Sequence, residues 1–173
     1  MATKLERREA LGADLYERDY HAWTQRQAAE LRRMVRQRIK TVLDLGHLAE
    51  EVEDLGRSER DAVRSQVRRV MEHLLKLEYS GAPEPRDGWK DTVADARAVL
   101  DDKLSASLRR DLEAIWPRLY AQVLPTVRRA LRRFGVRDAA AGPPADCPYD
   151  FDDVCRAEWY PANRHGIADL DTP

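Results

Sequence analysis

From Leu45 to Tyr79 the apolar residues keep a helical rhythm that no strand could use. Leu48, Val52 and Leu55 continue as Val63, Val67, Val70, Leu74 and Leu77, at steps that return to one face of a 3.6-residue turn. A β-strand needs alternation of period two, and no part of the chain shows it cleanly. Only 8 glycines and 2 phenylalanines among 173 residues argue further against a sandwich or barrel. The expected class is all-α: a single-domain bundle of four to five helices with a C-terminal arm.

The other segments fall around that helix. Residues 1–13 are charged and expected to fray, 14–161 to form one domain, and 162–173 to be disordered. A first helix is expected over 19–38, with Tyr20, Trp23, Gln27, Leu31, Met34 and Arg38 on its inner side. "IKTVLDLGHL" reads as a connection in which Asp44 caps the long helix. Gly56 is expected to kink or break that helix, with Ser58 as a new cap, because glycine costs about 1 kcal/mol in a helix interior.

"SGAPEPRDGW" (80–89) is a loop. A third helix is expected over 89–104, with Trp89, Val93, Ala96, Val99 or Leu100 and Leu104 inward. Ser105 or Ser107 can cap a fourth. Pro117 and Pro125 predict breaks near Trp116–Pro117 and Leu124–Pro125, since an interior proline removes a hydrogen bond and clashes with the preceding turn.

Charged residues make up 35% of the chain and hydrophobic ones 43%, which suits long exposed helix faces. The 30 basic and 31 acidic residues nearly cancel, whereas a dedicated DNA-binding domain carries a basic excess. Neither a secretory leader nor a membrane span is legible. Cys147 and Cys155 form no CxxC pair. A cytoplasmic location is expected, where both thiols stay reduced.

Three sets of polar residues on the long helix are candidates for function. Glu59, Gln66 and His73 are seven apart and lie along the flank of the core face, where a helix meets a neighbour. Polar groups half-buried there need partners, and can fix register or form a subunit interface. They cannot form one metal site by themselves, because fourteen residues at about 1.5 Å each put Glu59 roughly 21 Å from His73. Arg57, Arg60, Arg64 and Arg68 form a second stripe, read either as an anion-binding surface or as a solvated face with acidic partners. His47 with Glu50 and Glu51 has the i,i+3 and i,i+4 spacing of two ligands on one face, although acids are common at any helix start. "RRALRRF" (128–134) is a basic helix end, which the helix dipole favours.

No nucleophile elbow, Walker loop, GxGxxG or HExxH is present, and no catalytic or metal-ligating residue is assigned. No cofactor is expected. The four tryptophans (23, 89, 116, 159) are spread one per segment, as packing anchors rather than a base-stacking platform.

"LYERDYHAWTQRQAAELR", "LDLGHLAEEVEDLGRSER", "MEHLLKLEY", "GWKDTV", "CPYDFDDV" and "EWYP" occur in that order. Together they resemble the bacterial family known as domain of unknown function twenty-nine, over roughly residues 15–161. The resemblance implies an all-helical single domain, mainly from cyanobacteria and proteobacteria, with no assigned activity. Trp23, Glu59, His73, Trp89, Cys147, Pro148 and Tyr149 match the family pattern. His47 stands where the pattern favours Asn, and Leu77 where it favours an aromatic.

Three functions compete. The first is a non-catalytic interaction module that binds another protein or a second copy of itself. The second is a metal-dependent enzyme in the manner of DinB-like helical bundles, which needs His73 to converge with His47 or His21 and an acid such as Glu51. The third is nucleic-acid binding through the arginine stripe and "RRALRR".

Overall fold

The structure, a computed structural model, describes residues 14–136 and 142–167. The frayed segment expected at 1–13 lies outside the described residues. The class is all-α, and no strand occurs among the described residues. Among the described residues the longer course of the chain is carried by α1 (Tyr20–Arg36), α2 (Leu45–Tyr79), α3 (Arg86–Lys103), α4 (Ala106–Ala114), α5 (Trp116–Arg133) and α6 (Phe151–Cys155). Residues 14–18 are also helical. The chain divides into two compact units, Met1–Ala62 with Leu104–Asp111, and Val63–Lys103 with Leu112–Pro173.

In the first unit α1 starts where the sequence predicts. Asp19 is its N-cap, accepting from the Ala22 amide at 2.9 Å. The same carboxylate also accepts from the Ser105 hydroxyl and from the amide and hydroxyl of Ser107. Burial would raise the pKa of Asp19, but the bonds from Ser107, Ala22 and Ser105 outweigh it and hold the carboxyl below its usual value.

The buried face of α1 is not the expected one. His21, Thr24 and Ala28 are buried, while Tyr20, Trp23, Gln27, Leu31 and Met34 are only half-buried and Arg38 is exposed. The reason is the closeness of α2. A Cβ on Gly56 would collide with the Thr24 side chain, whose own Cβ lies 3.2 Å from that position. A crossing that tight leaves no room for a side chain at Gly56. The large aromatics sit to the side, where Tyr16, Tyr20 and Trp23 pack on one another with ring centroids 4.8–5.6 Å apart.

The same contact overturns the expected break at Gly56, for α2 runs unbroken through it. Glycine is there for the approach of α1, and neighbours override its weak helix propensity. Asp44 does cap α2, with its carboxylate 3.2 Å from the His47 amide. Leu45 and Ala49 are buried beside Gly56, but Leu48 and Leu55 are 39% and 51% exposed. The core line of α2 therefore continues here through Leu45, Ala49 and Gly56, and Leu48 and Leu55, at its flank, face solvent.

The second unit has the conventional core. Val63, Val67, Val70, Met71, Leu74, Leu75 and Leu77 are all at most 1% exposed, as the periodicity of α2 requires. Trp89, Val93, Ala96 and Leu100 of α3 are buried as expected, and the helix starts three residues earlier, at Arg86. From α5 come Leu119, Tyr120, Val123, Leu124, Val127 and Leu131. The break at Trp116–Pro117 occurs as predicted: α4 ends at Ala114, and α5 opens with proline in its first turn, where no amide is needed. No break occurs at Pro125, which sits inside α5 on its exposed face, so the carbonyl it leaves unbonded can turn to water.

The sequence reading closed the domain at 161, but the described arm runs from 142 to 167 and is bonded almost to its end. The Asn163 amide donates to the carbonyls of Leu77 and Ser80 at 2.7 and 2.8 Å, and the Arg164 amide donates to the Glu78 carbonyl. A helix end leaves its last carbonyls without partners, and the arm supplies them for α2. Residues 168–173 lie outside the described residues.

Candidate functional site

The unbroken α2 keeps the seven-residue spacing of Glu59, Gln66 and His73, and all three are half-buried. The partners expected of such a line are only partly found. Gln66 Oε1 and His73 Nδ1 are buried and make no hydrogen bond within the described residues. Burial, with the positive charges of Lys76 and Arg69, pushes the His73 imidazole down to about 4. At neutral pH it is an uncharged ring with an unsatisfied nitrogen, not the hydrogen-bonded histidine that the sequence suggests.

The arginine stripe is largely engaged with local groups. Arg57 pairs with Asp54, Arg60 Nε lies 3.6 Å from Asp61, and Arg68 donates to Gln122 at 3.4 Å. Arg64 has a partner as well. These contacts fit the solvated-face reading of the stripe.

The other histidines are committed separately. His21 is 5% exposed and its Nδ1 donates to the Gly56 carbonyl at 3.0 Å, which turns Nε2 toward Asp111, 3.7 Å away. His47 is exposed and bonded to Asp44 at 2.6 Å. That hydrogen bond and the carboxylate charge raise its pKa. Among the described residues no three His, Cys, Asp or Glu side chains group so as to hold a metal ion.

The arm holds polar groups that the sequence reading missed. Arg97, 4% exposed on α3, donates to the carbonyls of Asp153, Val154, Ala157 and Trp159 at 2.9–3.1 Å. Its guanidinium also faces the Tyr160 ring, 5.3 Å from the centroid. Burial lowers its pKa, but arginine still carries its charge at any ordinary pH. Glu78, 8% exposed near the end of α2, accepts from the Tyr149 hydroxyl at 2.6 Å and from Arg164 Nε at 2.8 Å. Burial first, and Glu78 second, raise the Tyr149 pKa, so its proton stays on. Burial likewise raises the Cys147 thiol, which is therefore no ready nucleophile. Asp150, near Cys147, caps α6. Each of these groups closes a contact within the fold.

What stays open is a surface of the first unit. α1 ends in a Schellman turn: Ile39 donates to Met34 and Arg38 to Val35, with Arg38 in the left-handed region at φ 50°. The turn throws the connector outward. Val35, Ile39 and Leu43 are 45–58% exposed, and Val42 has no shielding at all. Leu48 and Leu55 stand on the following helix, seven residues apart and also outward. One signal could have found this surface. Leu48 and Leu55 lie in the same half of α2 as Ala49 and Gly56, and these buried small residues, not the leucines, mark the close contact.

The chain matches the family model "Domain of unknown function DUF29" over residues 15–160. It belongs to this family. An α-helical protein of unknown function from Rhodospirillum rubrum ATCC 11170 is similar in structure, with a TM-score of 0.67 and 29% sequence identity. The match covers 83% of this chain and 90% of that one. No curated protein matches. Among the described residues of this DUF29 chain, no helix is long and apolar enough to cross a membrane.

Proposed function

We propose that this chain is a non-catalytic, cytoplasmic bacterial protein that works by binding another polypeptide. The observation that carries the reading is the outward apolar surface of the first unit: Val35 at the end of α1, Ile39, Val42 and Leu43 on the connector, and Leu48 and Leu55 on α2. A fully exposed valine and two outward leucines on a helix of regular heptad spacing gain most by being covered. Arg97, Glu78 and Tyr149 are spent on the fold, and Arg57 and Arg60 of the stripe have acidic partners, which lowers its value to a phosphate. Glu59, Gln66 and His73 are proposed as a packing line that sets helix register.

The test is a photo-crosslinking amino acid at position 42 of the full chain, expressed in cells of the source organism. A discrete adduct of protein size is expected, and Leu48→Asp should abolish it. If no adduct forms, or if Leu48→Asp leaves it unchanged, the reading falls.

A further inference from the structure

The charges around the apolar surface say which polypeptide fits it. Residues 32–40 carry Arg32, Arg33, Arg36, Arg38 and Lys40 and no acid. Residues 44–54 carry Asp44, Glu50, Glu51, Glu53 and Asp54 and neither lysine nor arginine. The end of α1 and the start of α2 are thus a basic arm and an acidic arm, and the exposed apolar residues lie on and between them. The arms already attract each other within one chain, where Arg32 meets Glu53 through two hydrogen bonds of 2.8 and 2.6 Å.

A nucleic acid or an anionic membrane would meet the acidic arm as well as the basic one. A partner with one dominant charge gains from one arm and loses on the other. The surface asks for a partner that is apolar at its centre, acidic on one side and basic on the other. A second copy turned by a two-fold axis has this pattern without further requirement: its acidic arm faces this basic arm, and the reverse. We infer that the α1–α2 hairpin is a homodimer interface, with Val42, Leu43 and Leu48 at its apolar centre and the two charged arms crossed. This rests on the interaction reading above and names the partner.

Sedimentation equilibrium of the purified full chain tests it. The wild type should sediment at twice 19.9 kDa, and its association should weaken as salt rises. Val42→Asp should give a folded monomer whose melting temperature no longer rises with protein concentration, because the fold of one chain does not use that side chain. A chain with Arg36→Glu, Arg38→Glu and Lys40→Glu should be monomeric, and so should one with Glu50→Lys and Glu51→Lys. Mixed in equal amounts, these two should recover a one-to-one dimer.

A wild type that stays monomeric at every concentration overturns the inference, and so does a mixture that fails to pair. The crosslinking result then separates the two ideas. An adduct with a different protein leaves the interaction reading standing without self-pairing, and no adduct removes both.

Discussion

At the scale of single residues, the tight points of the first unit make sharp predictions. Gly56→Ala places a methyl group against Thr24 and should cost about 1–3 kcal/mol in urea unfolding, as overpacking does. Pairing it with Thr24→Ala should return part of the loss, because the Thr24 hydroxyl is the first atom in the way. Arg38 adopts a left-handed conformation that glycine takes freely. Arg38→Gly should therefore be neutral or stabilising by up to about 1 kcal/mol, whereas Arg38→Val should destabilise, and thermal melts would separate the pair. His73 offers a pH test. Its imidazole sits at about 4 in the fold against 6.5 for an ordinary histidine, so the unfolded chain takes up the proton first as pH falls. Stability should drop between pH 6.5 and 4 by linkage, and His73→Gln should flatten that slope. An unchanged slope would mean that the ring is more hydrated than its burial implies.

At the scale of elements, α2 shows what the sequence could and could not reveal. Its existence, its cap at Asp44 and the core line from Val63 to Leu77 follow from periodicity and capping chemistry alone. Its first half differs from the expectation, because Leu48 and Leu55 obey the same period but stand at the flank of the face that Leu45, Ala49 and Gly56 bury. Periodicity reports that a helix has an apolar side but not that something covers it. The inner side of α1 was misjudged for a related reason: burial there went to small and polar residues, chosen for closeness rather than hydrophobicity. The arm lay beyond such reasoning. Nothing local to Arg97 says that it will hold carbonyls 56–62 residues away. Arg97→Lys keeps the charge but loses the planar fork, leaving several of those carbonyls without donors. It should cost about 2–4 kcal/mol, with amide exchange accelerating first in residues 151–160. Tyr149→Phe takes one bond from buried Glu78 and should cost about 1.5–3 kcal/mol, the range for hydrogen bonds to charged groups.

At the scale of the molecule, surface and stability should come apart. Val42 and Arg97 belong to different compact units and share no partner. The variant Val42→Asp with Arg97→Lys should show the stability loss of the second change and the association defect of the first, with no coupling beyond about 0.5 kcal/mol. A larger coupling would mean that the units communicate. Time separates the parts of this chain as well as space. The Ser80 carbonyl waits for Asn163, 83 positions later. At about 5–20 residues per second on the ribosome, that is roughly 4–17 s during which the long helix exists without its stopper. A nascent chain stalled before Asn163 should carry a frayed α2 however well its core has condensed, since the side chain that finishes the helix is added more than a hundred codons after the helix began.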